Sequence, residues 1–309
     1  MQQSRIWSAL LVGLGVALIV GGLVAPRFLL GDGRLPLDLG EVTWTIEDPD
    51  GMRNGEPAPV IRQLHLEIRD PADADVASVR VGDSIRAGEA GSDFDNLVTA
   101  STWAFEMDRV TGEARGPAQA QLTMGMPPTE VDIDGVWLKF PADVRKETYD
   151  VYDTTLRGTA PAEFVGEEEI AGRTVYRFRQ EIAPTNIAQR YADPLNTGTE
   201  EGADGEVIRT FLYHSAEREL LVDQISGLVV GIDEKVDQYY GDASGRGMKS
   251  IVLYDGTMDP AQVESLVKKL GNVTSASLSH TVTWIVIGLG SLLALVGLIG
   301  ALAGARRRR

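Results

Sequence analysis

The residue types that do chemistry are few in this chain, and their spacing is uninformative. There is no cysteine, so neither a thiol nucleophile nor a thiolate metal site can be built. The three histidines, His65, His214 and His280, are scattered, with no pair at helical spacing. His65 and His214 fall on predicted strands opposite the apolar set, which predicts a solvent-facing role, and His280 falls at a membrane interface. G-x-S-x-G and H-E-x-x-H are absent. GDASGRG (241–247) is Gly-rich but lacks the Walker spacing and the strand-to-helix context of a phosphate loop. Carboxylates are abundant, so a glycosidase-like pair stays open. The densest cluster, Glu167-Glu168-Glu169, reads better as a solvated turn beside a hairpin. The sequon Asn272-Val273-Thr274 is too common a triplet to carry weight. No catalytic residue, cofactor or metal site is identified, and the chain reads as a non-enzyme.

Such residues as there are must be positioned by a fold with two apolar ends. No ionisable residue lies between Arg5 and Arg27, nor between His280 and Arg306. About 20 apolar residues cross a bilayer core, and in lipid the backbone must satisfy itself, so helices are expected at 6–26 and 281–304. Trp7 and Trp284 lie near the ends of these runs, where indole favours the headgroup layer. The first run exceeds a signal-peptide h-region and ends in LVAPRF, a poor cleavage site, which favours retention. Arg5 on one side and Arg306, Arg307, Arg308 and Arg309 on the other place residues 1–5 and 305–309 in the cytoplasm. Residues 27–280 then form an extracytoplasmic domain in a plasma-membrane protein.

All 45 acidic side chains fall within residues 28–280, against 23 of the 29 basic ones, a balance that excludes nucleic acid as a partner. Without disulfides the domain must rely on its core, and it is long enough to do so. Along the first helix Ala9, Gly13, Ala17, Gly21 and Ala25 repeat at i+4, and Gly290 and Ala294 offer small positions in the second. Such stripes let helices approach closely, here each other or a partner membrane protein.

The middle alternates like strands. EVTWTIED and RQLHLEIRD are the clearest, the second with Leu64, Leu66 and Ile68 on one face. Further strands are expected through DGVWLKFP, RTVYRFRQEI and VIRTFLYHSA to KSIVLYDG, with turns at Asp134-Gly135, Ala171-Gly172, Ser226-Gly227 and Asp255-Gly256. One amphipathic helix is predicted over 259–270, capped by Asp259, with Pro260 at N1. Residues 112–130 read as a loop, and acidic 192–206 as a mobile surface loop. The fold class is mainly β: antiparallel, sandwich-like sheets between two transmembrane helices. Short strands beside two spanning helices argue against a porin.

YDVYDTTLRGTAPAEFVGEEEIAGRTVYRFRQEI (149–182), with DRVTGEA (108–114), GVWLKFP (135–141) and LLVDQISGLVVG (220–231), resembles the DUF3068 family of actinobacterial envelope proteins. That family is also labelled the porin PorA family and includes PgfA-like members. The resemblance implies a helix–domain–helix architecture and, through PgfA-like proteins that handle trehalose monomycolate beside its transporter, a lipid or glycolipid partner. It carries no catalytic motif. An apolar cavity or groove of about 300–1,000 Å³ is then expected, with Trp103, Phe105, Trp137, Phe140, Tyr176 and Phe178 as candidate ligand contacts. The alternatives are a scaffold for a membrane transporter or cell-wall complex, and a cell-wall hydrolase using acidic residues.

Overall fold

A computed structural model describes residues 2–24, 31–89, 91–123, 125–202 and 204–306, with the side chains of 2–6, 276–280 and 301–306 excepted. The chain divides into two compact units, Met1–Gly33 with Val273–Arg309, and Arg34–Asn272.

The first unit is a pair of antiparallel helices, α1 (Gln2–Val24) and one from Ala276 to Arg306. Both are long and apolar enough to cross a membrane. Their contact does not run along the expected stripe on α1. Ala9, Gly13, Ala17 and Gly21 are exposed, and nothing approaches Gly13 or Gly21. The contact instead uses Ser8, Val12, Gly15, Ile19 and Gly22, with Gly15 against Gly290 and Ala294, and Gly297 against Ser8 and Val12. Spacing that alternates i+4 and i+3 follows the 3.6-residue period, whereas a strict i+4 stripe drifts around the helix. Ala25 and Arg307 to Arg309 lie outside the described residues, as do the side chains of Arg5 and Arg306.

The second unit is mainly β, as the alternation requires. Its strands are β1 (Glu41–Asp48), β2 (Met52–Arg53), β3 (Glu56–Pro57), β4 (Val60–Ala72) and β5 (Val76–Ala87). There follow β6 (Leu97–Asp108), β7 (Ala118–Gln121), β8 (Thr129–Val131), β9 (Tyr149–Asp153) and β10 (Gly158–Ile170). The last are β11 (Arg173–Asn186), β12 (Thr197–Glu201), β13 (Val207–Asp223), β14 (Val229–Gly241) and β15 (Gly247–Met258). All pair antiparallel in one sheet ordered β8-β7-β6-β5-β4-β1-β15-β14-β13-β11-β10-β9, with β12 on β13 and the β2–β3 hairpin on β15. The expected amphipathic helix is α2 (Pro260–Lys269), its Asp259 carboxylate accepting from Ala261 N and its Val263, Leu266 and Val267 buried. The C-terminal apolar helix, Ala276–Arg306, is α3.

One sheet does the work of two layers because it curls until its ends meet. Met107 of β6 bridges Ala114, Glu113 bridges Val136, and Val136 bridges Val151 of β9. The segment DGVWLKFP, expected as a strand, is therefore an irregular seam. Leu138 is left-handed (φ 62), which turns the chain so that Lys139 bridges Leu228 of the β13–β14 turn. Two glycines with positive φ make room for this segment: a Cβ on Gly112 would strike Lys139 O, and one on Gly227 would strike Phe140 O.

Three other expectations change. Within 112–130 the AQAQ run forms β7, because its alanines are small enough to bury completely beside β6. Most of 192–206 is ordered rather than mobile: Asn196 is buried with its amide on Tyr191 O, and β12 zips onto β13. Asp255-Gly256 is not a turn but lies inside β15, where Gly256 lets Ile46 of β1 pack close.

Candidate functional site

The inward phase of the strands reads as a core with a charged layer across it. Leu64, Leu66 and Val60 share their face with Arg62 on β4. Asp83 stands in phase with Val79, Val81 and Ile85 on β5, and Glu234 with Ile232 and Val236 on β14. Asp153 follows Val151 on β9, Gln180 lies between Phe178 and Ile182 on β11, and Tyr254 follows Val252 on β15. On β13 the inward set is His214, Ala216, Arg218, Leu220 and Val222. His214 is thus 1% exposed, not solvent-facing as expected. The sequence misleads there because the inward face carries polar and apolar residues alike. His65 does lie on the outer face, half-buried, with Nδ1 2.8 Å from Thr43 Oγ1.

These side chains form one network. Arg62 is bidentate to Asp83 (Nε–Oδ1 3.1 Å, Nη2–Oδ2 3.0 Å) and donates from Nη1 to Glu234 Oε2 at 2.6 Å. Arg218 donates to Glu234 Oε2 (2.8 Å) and Gln180 Oε1 (3.0 Å) and lies 2.8 Å from Asp153 Oδ2. Tyr254 donates its hydroxyl to Glu234 Oε1 at 2.6 Å. His214 Nε2 stands 3.4 Å from Asp153 Oδ2 but without hydrogen-bond geometry, and its Nδ1 faces Gln238 at 3.3 Å.

Burial by itself would push the carboxyl groups up, but the adjacent basic side chains prevail. Glu234 is held at about 2 by Arg62 and Arg218, and Asp153 well below the usual carboxylate range by His214 and Arg218. Burial pulls the Arg218 guanidinium down, yet Asp153 and Glu234 leave it raised. Carboxylates pinned in the ionised form are unsuited as general acids, which tells against a glycosidase mechanism. Among the described residues no group of three or more His, Asp or Glu is arranged to hold a metal ion.

Above the layer a pocket of about 160 Å³ opens from the barrel interior. Arg62, Asp83, His214 and Arg218 form its floor, and Thr99, Ser101, Trp103, Leu122, Thr154, Thr155, Arg157, Tyr191, Asp193, Leu195 and Asn196 its walls. Below the layer lies a void of about 30 Å³ bounded by Trp137, Tyr152, Leu220 and Ile232. The pocket is smaller and more polar than the expected apolar cavity or groove. An open groove of about 370 Å³ beside Phe105 reaches the expected size but is edged by Arg69, Arg80, Glu106 and Arg115.

The aromatic candidates divide. Trp103 lines the pocket and Trp137 the inner void. Their rings meet edge-on at 5.8 Å, with Phe105 stacked on Trp137 at 6.1 Å. Phe140 and Phe178 are fully buried, 5.0 Å apart, in a second aromatic cluster that half-buried Tyr176 joins through Phe164. They line neither space.

A family model described as Porin PorA matches residues 7–299, both helices and the whole barrel. The chain belongs to the Porin PorA family. A PorA relative, "Porin PorA" of Corynebacterium resistens, is 22% identical over 409 aligned positions covering 99% of each chain. Another of the same name from Corynebacterium amycolatum is 22% identical over 298 positions, covering 74% of this chain and 76% of the relative. PorA membership and the two apolar helices together mark a membrane or envelope protein.

Proposed function

We propose that this protein is a non-catalytic envelope component. Its helices hold the barrel at the outer face of the plasma membrane, both termini in the cytoplasm, and its pocket takes the polar end of a lipid or glycolipid in transport or envelope assembly. The pocket carries this reading. It opens from the barrel interior, offers hydroxyl, amide and aromatic groups, and its roughly 160 Å³ admits a headgroup fragment but not an acyl chain. The family name does not make the barrel itself a pore. Its outer face carries ion-pair ladders, such as Arg177 with Glu219 and Glu168, where a lipid-facing barrel is apolar, and its interior is filled. The test is mass spectrometry of lipid retained by the detergent-solubilised protein from native membranes. One lipid class should be enriched and lost in Ser101→Trp, which fills the pocket; no enrichment, or none lost, overturns the proposal.

A second reading, a partner subunit of a membrane transporter, draws on the small-residue face of α1 (Ala9, Gly13, Ala17, Gly21), which α3 leaves uncovered. Photocrosslinking from position 13 in native membranes that returns only lipid or copies of this chain removes it.

A further inference from the structure

At the pocket wall, Arg157 holds an arrangement that its own neighbours do not complete. It closes the turn from β9 to β10 with φ 47, a left-handed conformation that glycine would adopt without strain. Its guanidinium lies on the Tyr191 ring, 3.6 Å from the centroid, and so is fixed in plane. Tyr191 is itself tied down, its hydroxyl donating to Thr155 O at 2.9 Å. Yet the fork is underused. Nη2 alone reaches Asp193 Oδ2, at a long 3.3 Å, and Nε is buried without an acceptor. A buried donor left unpaired is costly, and an arginine fork is satisfied best by two oxygens of one planar or tetrahedral oxyanion. Asp193 is poorly placed to be that partner, since its Oδ1 is committed to Leu195 N.

We propose that Arg157 is the anchor of an oxyanion subsite, taking a phosphate or carboxylate group, and that Asp193 is a resident stand-in which the ligand displaces. The exchange keeps local charge balanced, because the partly exposed Asp193 carboxylate can turn to solvent as the ligand arrives. Thr155 on the same turn, with Ser101 and the second amide proton of Asn196, offers further donors in the same pocket, while the Thr154 hydroxyl is spent on Asp83 Oδ2. The inference rests on the pocket being the binding site. It specifies a charged group there, in a domain whose overall charge is strongly negative.

Titration calorimetry of the full chain in detergent with inorganic phosphate tests it. Wild type should bind, and Asp193→Asn, which keeps the Leu195 cap and removes the competing charge, should bind about tenfold more tightly. Arg157→Gln should abolish binding. Should that variant melt early, Arg157→Lys serves instead: it keeps the charge, loses the fork, and should weaken binding severalfold. Because the chain has no cysteine, Ser101→Cys adds a local readout, its maleimide labelling slowed by phosphate only when Arg157 is present. Phosphatidylglycerol displacing phosphate more effectively than glycerol 3-phosphate assigns the group to a lipid head, and equal displacement to a free anion. No phosphate binding by wild type, or equal affinity in all variants, overturns the subsite. A failed subsite leaves lipid retention intact, whereas a failed lipid reading leaves the phosphate response.

Discussion

Replacing Glu234 by Gln reproduces the protonated carboxyl at all pH values. Glu234 is wholly buried, accepts from Arg62, Arg218 and Tyr254, and is held at about 2 against an ordinary 4.5. A depressed folded-state value means that the ionised form stabilises the fold. That contribution is complete above the unfolded value and is lost as pH falls from about 4.5 towards 2. A shift of this size corresponds to about 3 kcal/mol at neutral pH. Glu234→Gln should therefore lower the melting temperature by about 6–12 °C at pH 7, for a domain of this size. At pH 2.5 most of the difference should vanish. The assay is near-ultraviolet circular dichroism of the full chain in detergent across pH 2.5–7, wild type against variant. A deficit that is the same at both ends of the range, or a neutral-pH loss under about 2 °C, refutes the reasoning.

Three further outcomes follow from the packing. Gly227→Ala forces both a left-handed alanine and a clash with Phe140 O, and should cost more than about 3 kcal/mol, read as a lower denaturant midpoint. Gly15→Ile should separate α1 from α3, while Gly13→Ile, on the open face, should not; crosslinking of paired cysteines at 8 and 297 distinguishes them. Arg177→Gln removes only solvent-exposed ion pairs and should shift stability by less than about 1 kcal/mol in the same denaturant titration.

Much of the architecture was legible because it rests on local rules. Pro260 after Asp259, the alternation of Leu64 and Leu66, and the Ala171-Gly172 turn, which is left-handed at both residues, each act within a few residues. The seam was not legible, since Leu138 has no local reason to be left-handed; its conformation answers to Leu228 and Val229, far away in the chain. Nor was the charged layer. Its signal was present as Arg62, Asp83, Arg218 and Glu234, each in phase with apolar neighbours, but one polar residue per strand reads as noise until the strands close on one another. The aromatic residues were chosen for their ring surface, and priors for aromatics favour core over cavity: only Trp103 reached the pocket.

The seam also ties the fold to the order in which it can be completed. Its parts come from DRVTGEA, GVWLKFP and LLVDQISGLVVG, and each grips another across a long stretch of chain: Glu113 on Val136, Lys139 on Leu228. Closing such distant pairs carries a loop-entropy cost that local hairpins escape, so the hairpins form early and the ring shuts late. A chain emerging N-terminus first cannot shut it before the β13–β14 turn has arrived. The ring is complete only when β15 pairs with β1, and until then β1 keeps an open hydrogen-bonding edge, which makes the interval before closure the period of greatest exposure to mispairing and proteolysis.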